Sequence, residues 1–432
     1  MSDVIRILAV CHEDPACILG GMGRHLHGLY AAMAGIPGVQ IDLLTSGPGE
    51  GSAPYCGYTK HQSDKLVCYK PKQADLGSML MLDIQLAKTL TRLLAEGNGW
   101  DLVHAHEWGA VQVARMARDA LGIPLVGTMH LCITALMQEA GQLRDLGEGD
   151  LYLMQQEGHL VVDSDEFIVC SRAYEQMVRQ VFMTRRPIHV IHNGVSPGKW
   201  RRSELLAEQA RGRHNFYGRP VALFVGRIAD MKGIRQILDA VEQEDTGYHI
   251  VLAGEVNANT EQDKERWDVT RRIRQLAARW PERLQWLGFQ SDLQLRMLYS
   301  AAQVGLMPSL HEPFGIVALE CMAAGVPLIC TEAGGLKEVV MDDQGEEHAL
   351  IVEAGDPRQI NAALRLLRDD GAARENLQKL GLQRAAGFSW EKAAHQTLSV
   401  YRQLIRRARH DRFDNGHPGQ KSHAHQGPGR SL

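Results

Sequence analysis

Nothing in the 432-residue chain approaches about eighteen uninterrupted apolar residues, the length at which a run reads as a membrane-crossing helix. The opening Met1 to Val10 likewise lacks the basic stretch and continuous apolar core of a secretory signal, so a cytoplasmic location is the expectation. Cysteine is sparse and scattered: Cys11, Cys17, Cys56, Cys68, Cys132, Cys170, Cys321 and Cys330 include no Cys-x-x-Cys pair. That excludes the usual zinc and dithiol motifs and leaves these residues as small buried hydrophobes. Excess charge is missing too. A formal charge of −4, with 23% charged and 44% hydrophobic residues, describes an ordinary soluble globular protein, and nucleic acid is not an expected partner. The first half shows no clear basic helix, so attachment to a membrane surface is not expected either.

What the chain does contain is two series of short apolar runs separated by helical spacers. A chain of this length suits two domains of roughly 200 residues with a cleft between them. In the first series Arg6–Val10, Gln40–Thr45, Asp101–His106, Pro124–His130 and Glu166–Ser171 read as buried parallel strands, with a helix from Met22 to Ala34. His189–Gly194 leads into a turn, and the domain boundary falls near Val195 to Pro197. Val221–Val225, His249–Ala253, Leu284–Leu287, Val304–Met307 and Pro327–Cys330 form the second series. The expected division is therefore 1–195, 196–388, a returning helix 389–408 that packs on the first domain, and a tail 409–432 rich in Gly, Pro, His and Ser that is too polar to fold. Metal binding by the tail histidines His410, His417, His423 and His425 is not expected.

Several motifs admit more than one chemistry. Gly20-Gly21-Met22-Gly23 opens a helix and suits an anion at the positive end of its dipole, but Cys11 to Leu19 separate it from the first strand, which weakens a dinucleotide-binding reading. Gly194-Val-Ser-Pro-Gly198 has the spacing of a hydrolase elbow, yet Pro197 lacks the N–H its oxyanion hole needs. His104 and His106 share a strand face, but no third ligand has recognisable spacing to them, so no metal is assigned. His130 follows an apolar run at a strand's carboxyl end, where open parallel sheets bind ligands. The long segment from Leu131 to Glu157 reads as a substrate-specific wall.

In the second half, Gly226-Arg227 and Lys232-Gly233 place two cations in one strand-end loop, a combination suited to a diphosphate. Glu312 lies in a loop before a helix from Ile316 to Ala324, whose first N–H groups, Gly315 to Val317, are free for phosphate. Glu320 lies within that apolar helix and needs a hydroxyl or cation to offset its desolvation. Gly334-Gly335 and Glu338 form a further glycine loop behind it.

On Gly226-Arg227, Lys232-Gly233, Glu312-Pro-Phe314-Gly315-Ile316-Val317-Ala-Leu-Glu320 and Gly334-Gly335, the chain resembles the retaining nucleotide-sugar glycosyltransferases of family four and is similar to the related glycogen and starch synthases. The resemblance runs from about Ile5 to Arg407 and implies an α/β fold of GT-B type, two Rossmann-like parallel-sheet domains facing a cleft. It further implies that the first domain takes the acceptor and the second the donor. Arg227, Lys232 and the Gly315–Val317 amides would hold the donor diphosphate, with Gly21 approaching from the opposite domain and Phe314 in the same donor loop. Glu320 would take the ribose, Glu312 the hydroxyls of the transferred sugar, and His130 would be the active-site histidine near that sugar, Glu312 and His130 being the catalytic pair. The implied activity is hexosyl transfer, with retention, from a nucleotide-sugar, UDP-sugar first, to a hydroxyl of a small-molecule or saccharide acceptor. No cofactor and no metal are expected. Leu19 stands where the synthases carry a lysine, so α-glucan elongation from ADP- or UDP-glucose is the second reading. A nucleotide-sugar epimerase or hydrolase on the same scaffold is the third.

Overall fold

The computed structural model describes residues 4–15, 20–46, 51–63, 75–144, 146–256 and 264–415. Two sheets organise them. The first contains β1 (Ile5–Cys11), β2 (Val39–Ser46), β3 (Gly51–Tyr55), β4 (Tyr58–Ser63), β5 (Leu102–His106), β6 (Leu125–Met129), β7 (Glu166–Val169) and β8 (Ile188–Val190), in the order β3-β4-β2-β1-β5-β6-β7-β8. The second contains β9 (Val221–Val225), β10 (His249–Ala253), β11 (Leu284–Gly288), β12 (Ala302–Met307), β13 (Leu328–Cys330) and β14 (Leu350–Ile351), in the order β11-β10-β9-β12-β13-β14. Every pairing is parallel except β3 with β4. Helices cover both faces, which is why β5, β6 and β10 are buried at every position and read as unbroken apolar runs.

The β3–β4 hairpin is absent from the sequence reading. Its two-residue turn, Cys56-Gly57, has φ of 47° and 86°, the left-handed pair that a tight hairpin requires. Cysteine before glycine is a weak form of the usual Asn-Gly signal, and Pro54 argues against a strand. Of the cysteines described, Cys56 is exposed and Cys11, Cys132, Cys170, Cys321 and Cys330 are buried and free; Cys17 and Cys68 lie outside the described residues.

The strands of each sheet point their carboxyl ends at the other sheet, and the last helix, Trp390–Asn415, crosses back to the first. Its indole meets the helix Gly21–Ala34 so closely that a Cβ on Gly28 would lie 2.2 Å from Trp390 Cε2. Tyr401, fully buried, bonds His104, while Arg407 reaches Glu166 at 3.0 Å and Arg409 reaches Asp101 at 2.9 Å. This helix continues to Asn415, so residues 409–415 are helical where an unfolded tail was expected; positions 416–432 lie outside the described residues.

The close approach at Gly28 makes a direct test of that packing. Gly28→Ala forces the Trp390 ring to move and should cost about 1–3 kcal/mol, as overpacking does. Urea unfolding that shows no loss would mean the two helices are not held as described.

Candidate functional site

The loops that follow β9 and β12 are fitted to one another through glycine. Gly233 has φ 73°, and a Cβ there would lie 1.8 Å from the Pro308 carbonyl oxygen. The Met231 carbonyl accepts from the N–H groups of Leu310 and His311 at 2.9 and 3.2 Å. Tied together in this way, the loops set Lys232 Nζ 2.6 Å from Glu312 Oε2, and Ser309 Oγ stands 3.4 Å from the same oxygen. Glu312 is 8% exposed, so the ammonium offsets a carboxylate that has lost most of its water. Arg227, partly buried at the end of β9, faces the first domain, where its charge stabilises the anion of Glu13.

Gly315 begins the next helix, Ile316–Ala323, with φ 105° and no side-chain cap. Its first N–H groups therefore keep the partial positive charge of a helix start. Ile316 and Glu320 line an interdomain cavity of about 290 Å³ together with Arg24, Lys199, Trp200 and Trp390. The partner that Glu320 needs is a cation from the opposite domain: Arg24 Nε lies 3.0 Å from its carboxylate, and the Tyr299 hydroxyl is 3.4 Å away. Arg24 also reaches Asp292 at 3.1 Å and lies 5.2 Å over the Trp200 ring. Burial pushes the Glu320 carboxyl upward while Arg24 opposes it. For Arg24, Glu320 and Asp292 outweigh desolvation and keep the guanidinium charged.

Phe314 departs from expectation. Its side chain is 2% exposed and packs against His192 and Phe388, ring centroids 5.6 and 6.0 Å away, so it joins the interdomain core and offers no face to a ligand. Val317 is also packed against the apolar core, leaving its N–H as the group available at that position. Gly334-Gly335 serves contact between domains. A Cβ on Gly335 would lie 2.6 Å from Ser171 Oγ of the first domain, and Glu338 accepts from the N–H groups of Arg172 and Ala173 at 3.0 and 2.9 Å, capping the helix Arg172–Val181 of the first domain.

Across the cleft, the helix Gly21–Ala34 starts without a side-chain cap, and a Cβ on Gly20 or Gly21 would meet nothing within 4 Å. No packing among the described residues explains these glycines, which suit a ligand at the helix start. Sequence reasoning missed Glu13. Burial, the largest effect, raises its carboxyl, while Arg227 and the Gly23 N–H lower it, so this carboxyl already lies at the same helix start. The signal was the Glu13-Asp14-Pro15 run just ahead of the glycines; Leu19 lies outside the described residues.

His130 sits beyond β6, its N–H donating to the buried Glu107, which also accepts from Leu131 N–H at 2.7 Å. Glu107 is held at φ 66°, a strained value for a non-glycine residue. Around His130 gather His25 and His106, ring centroids 4.4 and 5.4 Å away, neither predicted as its neighbour. His104 instead points into the core, bonded to Thr128 Oγ1 at 2.7 Å and to Tyr401. Burial lowers all these imidazoles: His25 to about 4, and His104, His106 and His130 well below the usual value. The segment after His130 is mostly helical, with helices Ile133–Glu139 and Glu148–Asp163. Glu157 is buried and pins the first of them through the N–H groups of Ile133 and Thr134 at 2.7 and 2.9 Å. Its exposed end, at Glu139, comes 3.9 Å from His311 of the second domain and borders the cleft.

Two measurements test these assignments. Arg24→Met strands the Glu320 charge in a buried setting and should cost on the order of 3–5 kcal/mol in urea unfolding, part of which returns when Glu320→Gln is added; strictly additive losses would deny the pairing. The second concerns pH. His25 takes up a proton near 6.5 when unfolded and near 4 in the fold, so between those values the unfolded chain binds more protons. Its contribution to stability is full above the unfolded value and drains away as the pH falls toward the folded one. The stability difference between wild type and His25→Gln should therefore shrink steadily over that window, and a constant difference would contradict the burial account.

Comparison with known proteins agrees with the two-sheet architecture. The Glycosyltransferase Family 4 model matches residues 19–199, and the Glycosyl transferases group 1 model matches residues 207–384. Glycogen synthase from Mycobacterium tuberculosis is 29% identical over 423 residues, covering 92% of this chain and 94% of that protein. D-inositol 3-phosphate glycosyltransferase from Nocardioides sp. is 30% identical over 332 residues, 70% of this chain and 67% of that one. Among solved structures, sucrose-phosphate synthase from Thermosynechococcus elongatus superposes with a TM-score of 0.76 at 24% identity, over 93% of this chain and 100% of that chain. With both halves matched in order and the two sheets arranged as in that structure, the chain belongs to the family 4, group 1 glycosyltransferases and has their GT-B fold.

Proposed function

We propose that the protein transfers a hexosyl unit, with retention of configuration, from a nucleotide-diphosphate sugar to a hydroxyl acceptor held by the first domain. The observation that carries this reading is the adjoining arrangement of Lys232, Glu312 and the uncapped helix start at Gly315, fixed by the Met231 carbonyl, with Arg227 on the same rim. In it, Arg227, Lys232 and the Gly315, Ile316 and Val317 N–H groups take the two phosphates, and Gly21 closes over them from the first domain. Ribose hydroxyls meet Glu320, exchanging with Arg24. Sugar hydroxyls meet Glu312 and the neutral imidazole of His130.

Chemically, the bond from the anomeric carbon to the leaving phosphate oxygen breaks as the acceptor oxygen bonds from the same face, and the departing phosphate takes the acceptor proton. The protein's share is to stabilise charge growing on the diphosphate, which fixed cations and N–H dipoles supply without reorganisation. Closure of the two domains orders both substrates and excludes water. No catalytic metal or cofactor is invoked. UDP-hexoses lead the donor panel. The relation to glycogen synthase favours, as a second reading, extension of an α-glucan from ADP- or UDP-glucose.

The test is turnover of nucleotide-sugars against a panel of acceptors, with the product's anomeric configuration read by NMR. Arg227→Ala and Lys232→Ala should each lower turnover by on the order of a hundredfold. Near-normal rates in both would sink the diphosphate assignment, an inverted product would sink retention, and donor loss indifferent to acceptor would point to the epimerase or hydrolase chemistry instead.

A further inference from the structure

Three imidazoles from separate elements converge beside the cleft: His25 on the helix Gly21–Ala34, His106 at the end of β5 and His130 just past β6. One ring nitrogen of each lies within 4.8 Å of the others. His106 Nδ1 and His130 Nε2 are 3.1 Å apart in a hydrogen bond, whose proton an ion would replace. Two imidazole nitrogens on one tetrahedral ion, each about 2.0–2.1 Å from it, stand roughly 3.3 Å apart. That pair is thus already spaced for a shared ion, and His25 has to move in by no more than roughly 1.5 Å by the same geometry.

The third nitrogen is the informative one. His25 Nδ1 lies 2.7 Å from Asn193 Oδ1, an acceptor, so Nδ1 carries the proton and Nε2 presents its lone pair. Nε2 is buried without a hydrogen-bond partner among the described residues, on a residue 7% exposed. A buried acceptor left in this way is costly, and an electrophile is what it lacks. His106 has a matching outer contact, its Nε2 standing 2.5 Å from Tyr30 Oη. Such second contacts fix the tautomer and aim of metal-bound histidines. His104, though beside His106, is excluded because Thr128 and Tyr401 engage both of its nitrogens.

We propose that His25, His106 and His130 form a binding site for a divalent transition ion of the zinc class, which acts as a reversible brake by holding His130 away from substrate. Three nitrogen ligands with no carboxylate suit zinc or cobalt and disfavour magnesium and calcium, which prefer oxygen. Three protein ligands leave a fourth position for water. Binding stands on the geometry alone; the braking rests on the role given to His130 under the proposed function.

The test uses the full-length chain, freed of metal by a chelator, then titrated with cobalt(II) followed by visible absorption and with zinc(II) followed by calorimetry. One equivalent with intense tetrahedral cobalt bands is expected. His25→Gln and His106→Asn should each weaken that equivalent by on the order of a hundredfold or more, whereas Glu346→Gln, in the separate trio Asp342, Glu346 and His348, should leave it intact. Zinc should also lower turnover reversibly, each protein being scored against its own metal-free rate. Absence of a tetrahedral species in wild type, or its survival in both histidine variants, overturns the site. Tight binding without inhibition overturns the brake and counts against His130 at the donor sugar, while the site stands.

Discussion

Glu320 is a carboxylate placed inside an apolar helix, and the way its charge is answered governs how the two halves meet. Desolvating an anion this completely is unfavourable unless a cation comes with it. Arg24 comes from the helix that opens the first domain's glycine loop, and Asp292 and Trp200 steady its guanidinium. One ion pair therefore links a proposed ribose site on one side to a proposed phosphate site on the other. On the proposed function, binding a donor would ask Glu320 to exchange this guanidinium for ribose hydroxyls.

The same logic applies to the other charged groups of the cleft. Lys232 is neutralised by Glu312, and Arg227 faces Glu13, which already lies at the start of the helix Gly21–Ala34. Each cation assigned to the donor has an internal carboxylate in its place. On the proposed function a diphosphate would enter by exchange, displacing acids from cations, so the gain would be the difference between two ionic arrangements and smaller than bare contacts suggest. Such prepayment keeps the cleft's charges satisfied while they wait.

Much of the fold was legible because buried parallel strands are continuous apolar runs, and because loops at their carboxyl ends carry Gly226, Gly233 and Gly315 where positive φ or close contact demands them. The motif spacing also brought Lys232 and Glu312 together correctly, since both lie in loops of neighbouring strands. What escaped was long-range. Nothing local says that Phe314 turns toward His192 and Phe388, that Glu338 caps a helix in the other domain, or that Arg24 answers Glu320. The histidines show the limit best. His104 and His106 share a strand face and their rings meet, centroids 4.0 Å apart, but nothing in the strand pattern announces that His130, from the next strand, and His25, from a helix far earlier, join them.

That gathering of histidines depends on what surrounds it. Buried neutral imidazoles need fixed partners, and here Asn193, Tyr30, Thr128 and Tyr401 provide them from three elements and a loop. Tyr401 belongs to the returning helix, so the chain's last long helix helps to set a network that ends at His130. A shift of that helix against Gly28 would be felt first at Trp390, which touches His25 edge-on with ring centroids 5.9 Å apart, and then at the cleft. The returning helix therefore does more than close the fold: it connects the packing between domains to the orientation of the histidine proposed to meet the donor sugar.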